Sequence, residues 1–382
     1  MFYNKNMDLF NKLVLNSVYT KDEVESEREC FLKKYEIPIT EAWLPDGGKI
    51  KMLKTMLTSS CERNCYYCAF RAGRDVKRAT FKPDDLAAIF MQIYNKKIVE
   101  GLFLSSGILK DGIHTQDKLI ATVEILRNKY KFRGYIHLKI MPGIEKQQLF
   151  EAMHYANRIS INLEAPNDHR LSLLAPKKEF QKELIQPIKW ANEIRKYFPS
   201  NKTWNGKWPS SATQFVIGAV GESDLELIST SEKLFNYFGL RRIYYSKFNP
   251  IQNTPFENTP PEDSVRKNRL YQASYLLRDY DFMLEDMPFD QNGFLPKNID
   301  PKMAWAQVHL HNDPIEINTA TQSDLLKIPG FGHKSIDIIL KTRKQTRLVE
   351  LDQLKKMGIG TKRAAEFILI NGKRPVYQPQ LL

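Results

Sequence analysis

The sequence predicts an α/β protein whose main body is a partial (β/α)6 barrel, with an N-terminal helical cap and a small all-α C-terminal domain. Three observations lead to this prediction. Six apolar stretches of strand length alternate with six amphipathic stretches of helix length between Lys49 and Tyr280, which is typical of parallel βα units. Polar residues at period two end several of these strands. Residues 315–374 instead contain short helical patterns broken by glycine hairpins.

The composition supports a folded protein of two or three domains. The chain has 382 residues, of which 42% are hydrophobic and 11% aromatic, so it can bury an ample core and is neither disordered nor a disulfide-stapled miniature. Met1–Thr20 mixes Asn, Lys and Asp with its apolar residues and therefore does not resemble a signal peptide. No apolar run reaches membrane-spanning length. We expect a cytoplasmic protein with no membrane partner.

The predicted elements give the domain boundaries. The strands are expected at 50–58, 101–105, 134–140, 158–164, 213–220 and 241–248, and the helices that follow them at 84–94, 115–129, 145–155, 178–197, 223–238 and 264–280. The predicted domains are a helical cap at 1–45, the barrel at 46–285, a proline-containing linker at 286–314, the C-terminal domain at 315–374 and a tail at 375–382.

Polar side chains on the third and fourth strands predict a site inside the barrel. His137 and Lys139 share one side of the third strand, and Asn162 and Glu164 share one side of the fourth. Buried parallel strands are normally apolar, so these residues need an occupant at the carboxyl ends of the strands, where barrel enzymes place their sites. We predict catalytic roles for His137, Lys139 and Asn162. An internal hydrogen-bond network with water is the structural alternative.

Three of the four cysteines, Cys61, Cys65 and Cys68, lie within eight residues of one another. An odd number argues against a disulfide framework, and a closed structural zinc site uses four protein ligands. Three thiolates suit an iron–sulfur cluster with one iron left open, although a zinc site remains an alternative. The fourth cysteine, Cys30, is either a buried thiol or a hydrogen-atom or sulfur donor.

The segment Cys61-Glu-Arg-Asn-Cys65-Tyr-Tyr-Cys68 resembles the C-x3-C-x2-C motif of the radical S-adenosylmethionine (SAM) superfamily, including an aromatic residue, Tyr67, before the last cysteine. The resemblance implies a [4Fe–4S] cluster on the three cysteines. It also implies that SAM binds the open iron and is cleaved reductively to a 5′-deoxyadenosyl radical. Such chemistry needs an electron donor such as flavodoxin or ferredoxin.

The same resemblance implies residues that bind the cofactor. The turn after the second strand, Ser105-Ser106-Gly107, stands where the family has a glycine-rich turn for the SAM amino group, but it departs from the usual Gly-Gly-Glu. Ile217 and Glu222 match part of the fifth-strand motif beside adenine, although the glycines there are displaced. The implied cofactor-binding residues are Tyr67, Ser105, Ser106, Gly107, Glu164, Ile217 and Glu222.

The C-terminal segment predicts a polyanion partner. The chain has a net charge of +13, and residues 315–374 hold twelve Lys/Arg against six Asp/Glu, so one sixth of the chain carries nearly half of the excess. Two helix, Gly-x-Gly hairpin, helix patterns in this segment resemble paired helix-hairpin-helix (HhH) motifs, which bind nucleic-acid backbone. The implied nucleic-acid-binding residues are Gly330, Gly332, Lys334, Gly358, Gly360, Lys362 and Arg363. A helical domain for protein contacts is the alternative.

Together, these features resemble a subfamily of radical SAM proteins assigned to DNA modification or repair. The resemblance implies an enzyme that uses the 5′-deoxyadenosyl radical on DNA. Two alternatives remain: a tRNA- or rRNA-modifying radical SAM enzyme, and a non-enzymatic DNA-binding protein with a structural cluster. DNA glycosylases of the endonuclease III type also combine a cluster with an HhH motif, but they place four cysteines after that motif.

Overall fold

The computed structural model describes residues 2–17, 29–32, 37–43 and 48–376, with side chains at 8–17, 39–42 and 48–376. The chain divides into two compact units. The first contains residues up to Glu222 and Lys233–Asp263, and the second contains Ser223–Glu232 and everything from Ser264 onward. In the described part of the chain, no helix is both long and apolar enough to span a bilayer.

The first unit is built on an eight-stranded sheet whose spatial order follows the sequence. Its strands are β1 Glu29–Leu32, β2 Ile37–Trp43, β3 Lys49–Met56, β4 Gly101–Ser105, β5 Tyr135–Lys139, β6 Arg158–Ser160, β7 Ser210–Ile217 and β8 Arg242–Lys247. Strands β3 to β8 pair in parallel, whereas β1, β2 and β3 pair antiparallel. The six parallel strands confirm the predicted half-barrel sheet, and their carboxyl ends form one edge.

Helices connect the parallel strands, as expected for βα units. Helix α1, Phe2–Ser17, precedes the sheet. The connecting helices are α2 Pro83–Asn95, α3 Gly112–Glu124, α4 Lys146–Tyr155, α5 Asp168–Leu174, α6 Gln186–Tyr197 and α7 Asp224–Phe238, with π-helical turns at Ile125–Lys129 and Phe180–Ile185. Local chemistry sets their starts. Pro83 opens α2, and the Asp111 side chain accepts a hydrogen bond from the His114 amide at the start of α3.

The second unit is small and mainly helical. It contains α8 Ser264–Asp279, α9 Pro301–His309, α10 Gln322–Lys327, α11 His333–Thr342 and α12 Leu351–Lys356, with 3-10 turns at Leu284–Asp286 and Ala365–Phe367. Two short strands, β9 Ile315–Glu316 and β10 Ile368–Leu369, pair in parallel. The prediction of an all-α C-terminal domain is therefore wrong in this detail.

The second HhH pattern lacks its second helix. After the Met357–Gly360 hairpin the chain forms turns and the 3-10 turn, and then enters β10. Pairing of Ile368 with Ile315 draws the chain out of a helical path, so tertiary pairing overrides the local helical pattern. The first pattern keeps both of its helices, α10 and α11.

Two other regions differ from the sequence prediction. The cap was predicted to be helical, yet β1 and β2 extend the sheet beside β3. The remaining residues of 1–45 lie partly outside the described residues. The predicted linker, 286–314, is partly folded, because it contains α9 and buries Trp305, whose indole N–H donates to Asp286 at 3.1 Å.

Candidate active site

A cavity of about 380 Å³ opens at the carboxyl ends of the parallel strands. This is the edge where the sequence predicted a site. Its wall contains ten of the predicted residues: Cys61, Cys65, Tyr67, Cys68, Ser105, Ser106, Gly107, Lys139, Asn162 and Glu164. The cavity therefore brings together all three predicted cluster ligands, two of the three predicted catalytic residues and five of the seven predicted cofactor-binding residues.

Arg78 fixes the backbone of residues 59–74, which contain the three cysteines and are called the cysteine loop below. Its guanidinium donates hydrogen bonds of 2.7–3.2 Å to four backbone carbonyls of the loop, those of Ser59, Phe70, Arg71 and Arg74. Four carbonyls around one guanidinium fix the loop that presents the cysteines.

Two of the three thiols accept hydrogen bonds from backbone amides. The Ile108 amide donates to Cys61 Sγ and the Phe70 amide donates to Cys68 Sγ, each at 3.4 Å, and such amide donors tune iron–sulfur clusters. Burial raises the pKa of Cys65, and it raises the pKa of Cys68 to about 12. These thiols therefore need a bound metal to become thiolates at neutral pH.

The donor set fits iron–sulfur better than one zinc ion. Among the residues that the structure describes, no three His, Cys, Asp or Glu side chains are close enough to hold a single metal ion. A four-iron cube instead binds each thiolate at a different iron, so its ligands lie farther apart. The side chain of Cys30 lies outside the described residues, and its predicted role stays open.

The turn after β4 packs tightly on the cysteine loop. The Gly107 amide donates to the Thr58 carbonyl at 2.7 Å. A Cβ atom at position 107 would lie only 2.3 Å from the Ser60 carbonyl oxygen. Glycine is therefore required for this close approach, and the Ser105–Gly107 backbone borders the cavity beside Cys61.

Glu164 lies beyond the end of β6, which stops at Ser160, and forms an isolated parallel bridge with Phe215 of β7 in a strained conformation with a φ of 64°. One of its carboxylate oxygens accepts from Lys178 Nζ at 2.9 Å, and both side chains are buried. Among the described residues, the other oxygen, Oε2, has no donor at ordinary hydrogen-bond distance, and the Tyr67 hydroxyl lies close enough to the carboxylate to help lower its pKa. Burial alone would raise the pKa of Glu164, but the Lys178 and Lys139 ammonium groups outweigh it and hold that pKa below its ordinary value. An ionised oxygen is thus left for a ligand.

Sequence reasoning missed two basic residues of the wall, Lys178 and Arg63. Lys178 neutralises Glu164, while Arg63 binds Glu183 at 2.6 Å and so ties the cysteine loop to the segment after α5. Both contacts involve the segment after α5, which contains Lys178 and Glu183. Neither the spacing of the motif nor the hydrophobic period of the strands predicts that this segment reaches the cavity.

Three predicted residues lie outside the cavity wall. His137 is one layer deeper in the barrel, with its ring edge-on to Phe103 at 4.7 Å between centroids. Ile217 is fully buried. Glu222 accepts hydrogen bonds from the amides of Gly218 and Val220 and so closes its own loop.

Residues 55–199 match the family model described as the radical SAM superfamily. The chain contains a radical SAM domain. It is therefore an enzyme whose cofactors are a [4Fe–4S] cluster and SAM. The matched residues include the end of β3, the three cysteines and β4 to β6, and three thiols without a fourth cysteine ligand among the described residues fit such a cluster.

Several solved structures resemble the chain at low identity. One is HydG, a maturase of the [FeFe]-hydrogenase, at 10% identity and a TM-score of 0.46, covering 59% of this chain and 49% of HydG. Methylornithine synthase (PylB) has 12% identity and a TM-score of 0.48, with 59% and 61% covered. HydG from Carboxydothermus hydrogenoformans has 15% identity and a TM-score of 0.45, with 59% and 51% covered. This chain thus spans about half to three fifths of the length of each. No curated protein matched.

Outside the radical SAM domain, the chain forms the first of the two predicted Gly-x-Gly hairpins. Gly330 adopts a φ of 86° in the turn between α10 and α11, and Gly332 caps α11. Lys302 Nζ donates to the Phe331 carbonyl at 2.7 Å and anchors the hairpin from behind. Lys334, in the first turn of α11, is exposed and has no ion pair among the described residues.

The second hairpin lies against the first. A Cβ atom on Gly330 would lie 3.3 Å from Arg363 Cβ, so the two hairpins are neighbours. Arg363 forms an ion pair with Asp300, whereas Lys362 is exposed. Gly358 adopts a φ of 76° and Gly360 ends the hairpin, but no α-helix follows.

Proposed function

We propose that this radical SAM enzyme modifies or repairs nucleic acid, with DNA as the favoured substrate. The observation that carries the reaction class is the group of three cysteines at the wall of an open cavity, with no fourth cysteine among its lining residues. A [4Fe–4S] cluster with SAM, when bound, supplies a 5′-deoxyadenosyl radical after receiving one electron from a donor such as flavodoxin or ferredoxin.

The chain's own residues would divide the remaining work. Glu164 would hold a polar, positively charged part of SAM through its second oxygen, and Lys178 keeps that carboxylate ionised. Lys139, at the end of β5, and Asn162, just after β6, would orient the substrate at the cavity wall. Apolar side chains in the same wall, such as Met141 and Phe248, would exclude water from the reacting atoms.

The second unit supports nucleic acid as the substrate class. Residues 315–374 hold twelve basic against six acidic residues, and the first hairpin leads into a ten-residue helix whose N-terminus has no side-chain cap, a place where phosphates bind. Lys334 adds an exposed charge in that first turn. Such contacts bind backbone without reading sequence, which suits an enzyme that must find rare sites.

The first experiment tests the cluster. Anaerobically reconstituted protein should hold roughly four irons per chain, and SAM should change the EPR spectrum of the reduced cluster. Cys65→Ala should abolish iron binding, whereas Cys30→Ala should retain it. Zinc at one ion per chain, with no iron, would contradict the proposal.

The second experiment tests the substrate. Reduced enzyme with SAM should release 5′-deoxyadenosine slowly alone and faster with DNA, and mass spectrometry of nucleosides from that DNA should reveal the product. Stimulation by tRNA or rRNA and not by DNA would reassign the substrate to RNA. Stimulation by a peptide or a metabolite alone would overturn the nucleic-acid proposal.

A further inference from the structure

A second concave site lies at the opposite edge of the half-barrel, where the loops enter the parallel strands. It encloses about 330 Å³ and is formed by the segments before β5, β6 and β7. Its basic residues are Arg127, Lys131, Arg133 and Lys202, with Trp204 beside them. We refer to it as the basal pocket. Because catalytic residues in barrels occupy the other edge, the basal pocket is separate from the reaction.

The basal pocket is strongly cationic. Four basic side chains and no carboxylate line it. Lys131, Arg133 and Lys202 are exposed, and none of them has an ion pair or a side-chain hydrogen bond within the part of the chain that the structure describes. Like charges gathered in a concavity raise one another's energy unless an anion enters.

One wall of the pocket is rigid. The Arg127 guanidinium is buried and donates to the carbonyls of Tyr155 (3.0 Å), Phe132 (2.7 Å) and Gly134 (2.9 Å). It also stacks 3.6 Å from the Trp204 ring centre, and the Trp204 indole N–H donates to the Ala156 carbonyl at 3.3 Å. Burial, with the charge of Arg133 second, lowers the pKa of Arg127 to about 9. The guanidinium also donates to Asn157 Oδ1 at 3.1 Å, so Arg127 supplies a fixed, buried charge, and the exposed Lys131, Arg133 and Lys202 are the groups that an anion would contact.

The backbone also departs from regular geometry here. Arg127 lies in the π-helical turn Ile125–Lys129, a feature that often marks functional sites. Lys131 follows in the left-handed region with a φ of 52°, which turns the chain so that Lys131 and Arg133 both border the pocket. Tyr155 also lines the pocket, and burial, followed by the charges of Glu124 and Glu151, raises the pKa of its hydroxyl.

We propose that the basal pocket binds the phosphate group of a nucleotide or of a nucleic-acid backbone, at a distance from the catalytic cavity. Arginine forks and lysine ammonium groups both match phosphate oxygens. Trp204, half-buried beside them, provides a ring edge for an attached sugar or base. This proposal for the basal pocket does not depend on the proposed radical reaction, because free nucleotides carry the same phosphate group as nucleic acid.

Calorimetric titration of the full-length protein with inorganic pyrophosphate, ATP and a single-stranded oligonucleotide tests the proposal. Arg133→Ser combined with Lys202→Ser should weaken at least one phosphate probe about tenfold and flatten its log–log salt dependence by roughly one to two. The matched control, Lys96→Ser with Lys233→Ser, removes two exposed charges of the same unit elsewhere and should change affinity less than about twofold.

The three probes separate the sources of phosphate. Loss for pyrophosphate and ATP assigns the pocket to free nucleotides, and loss for the oligonucleotide alone assigns it to backbone phosphate. Unchanged binding of all three probes, with the native circular dichroism spectrum retained, would overturn the proposal. That result would leave the proposed radical reaction untouched, because 5′-deoxyadenosine release is measured separately.

Discussion

Glu164 combines a strained backbone, a buried ion pair with Lys178 and a carboxylate at the cavity wall, and strain of this kind persists where function requires it. We expect Glu164→Gln to weaken SAM binding about 10- to 100-fold, because one charge-assisted contact is worth ~1.5–3 kcal/mol. Iron content should stay unchanged, since the cysteines are intact. Equilibrium binding of SAM to the reconstituted protein measures the change.

Glu222 provides the matched control for this prediction. The family motif implies a cofactor role for Glu222, whereas the structure places it in its own loop, hydrogen-bonded to the Gly218 amide. Glu222→Gln keeps an acceptor oxygen, so SAM affinity should change less than about twofold. Equal losses in the two variants would contradict our assignment of Glu164.

His137 gives the fold a dependence on pH. Burial, with the charges of Arg158, Lys139 and Lys54 second, holds the pKa of His137 well below its ordinary value of 6.5. Below pH 6.5 the unfolded chain binds a proton that the native chain does not, so the free energy of unfolding falls on acidification, by up to ~1.4 kcal/mol per pH unit. We expect His137→Asn to reduce this fall.

Urea unfolding at a pH of about 7.5 and about 5.5 measures the effect of His137. The exposed His169 is the control, because His169→Asn should keep the acid sensitivity of the parent chain. If His137→Asn and the parent chain lose stability equally on acidification, His137 is not the group responsible.

The two hairpins of the second unit differ as elements. The first is followed by the ten-residue helix α11, and Lys334 is exposed beside it. The second has no such helix, and Asp300 already compensates Arg363. We expect Lys334→Ser to reduce the log–log salt slope of DNA binding by about one, and Arg363→Ser to change it much less. Fluorescence anisotropy across a salt series checks this order, and the reverse order would assign binding to the second hairpin.

Some of the strands and helices could be predicted from the sequence, whereas others depend on pairing between distant residues. The parallel strands could be predicted because each is a short apolar run with turns around it, and the cysteine spacing located the loop after β3. The antiparallel strands β1 and β2 were missed because Ile37-Pro-Ile-Thr fits a mixed cap equally well when no partner strand is known. The missing helix after Gly360 depends on pairing between β9 and β10, which are more than fifty residues apart.

The site shows the same limit. Period two on β5 identified His137 and Lys139 as inward-facing, and both are buried. The period does not say which layer of the barrel opens to solvent, so His137 was predicted at a mouth that only Lys139 reaches. Lys178 and Arg63 come from segments outside any strand, and only the folded chain brings them to the cavity.

At the scale of the whole molecule, the chain passes between its two units three times. It leaves the first unit after Glu222, returns at Lys233 and leaves again after Asp263. Within the second unit, Asp224 binds Arg266 at 2.8 Å, with the two side chains 2% and 7% exposed, and its other oxygen accepts from the Leu295 amide at 2.9 Å. The buried carboxylate of Asp224 is therefore compensated by groups that lie far from it in the sequence.

This connectivity predicts that fragments containing the radical SAM domain alone are less stable than the full chain. A fragment ending at Asp263 lacks both partners of Asp224, and one ending at 285 lacks only Leu295. Since an uncompensated buried charge costs ~3–5 kcal/mol, thermal midpoints and iron retention should fall in the order full chain, 1–285, 1–263. Arg266→Met in the full chain should lower the free energy of unfolding by a similar ~3–5 kcal/mol. A chain ending at Val376 is the control and should match the full chain. A 1–263 fragment with full-length stability and iron content would show that the first unit folds without this ion pair.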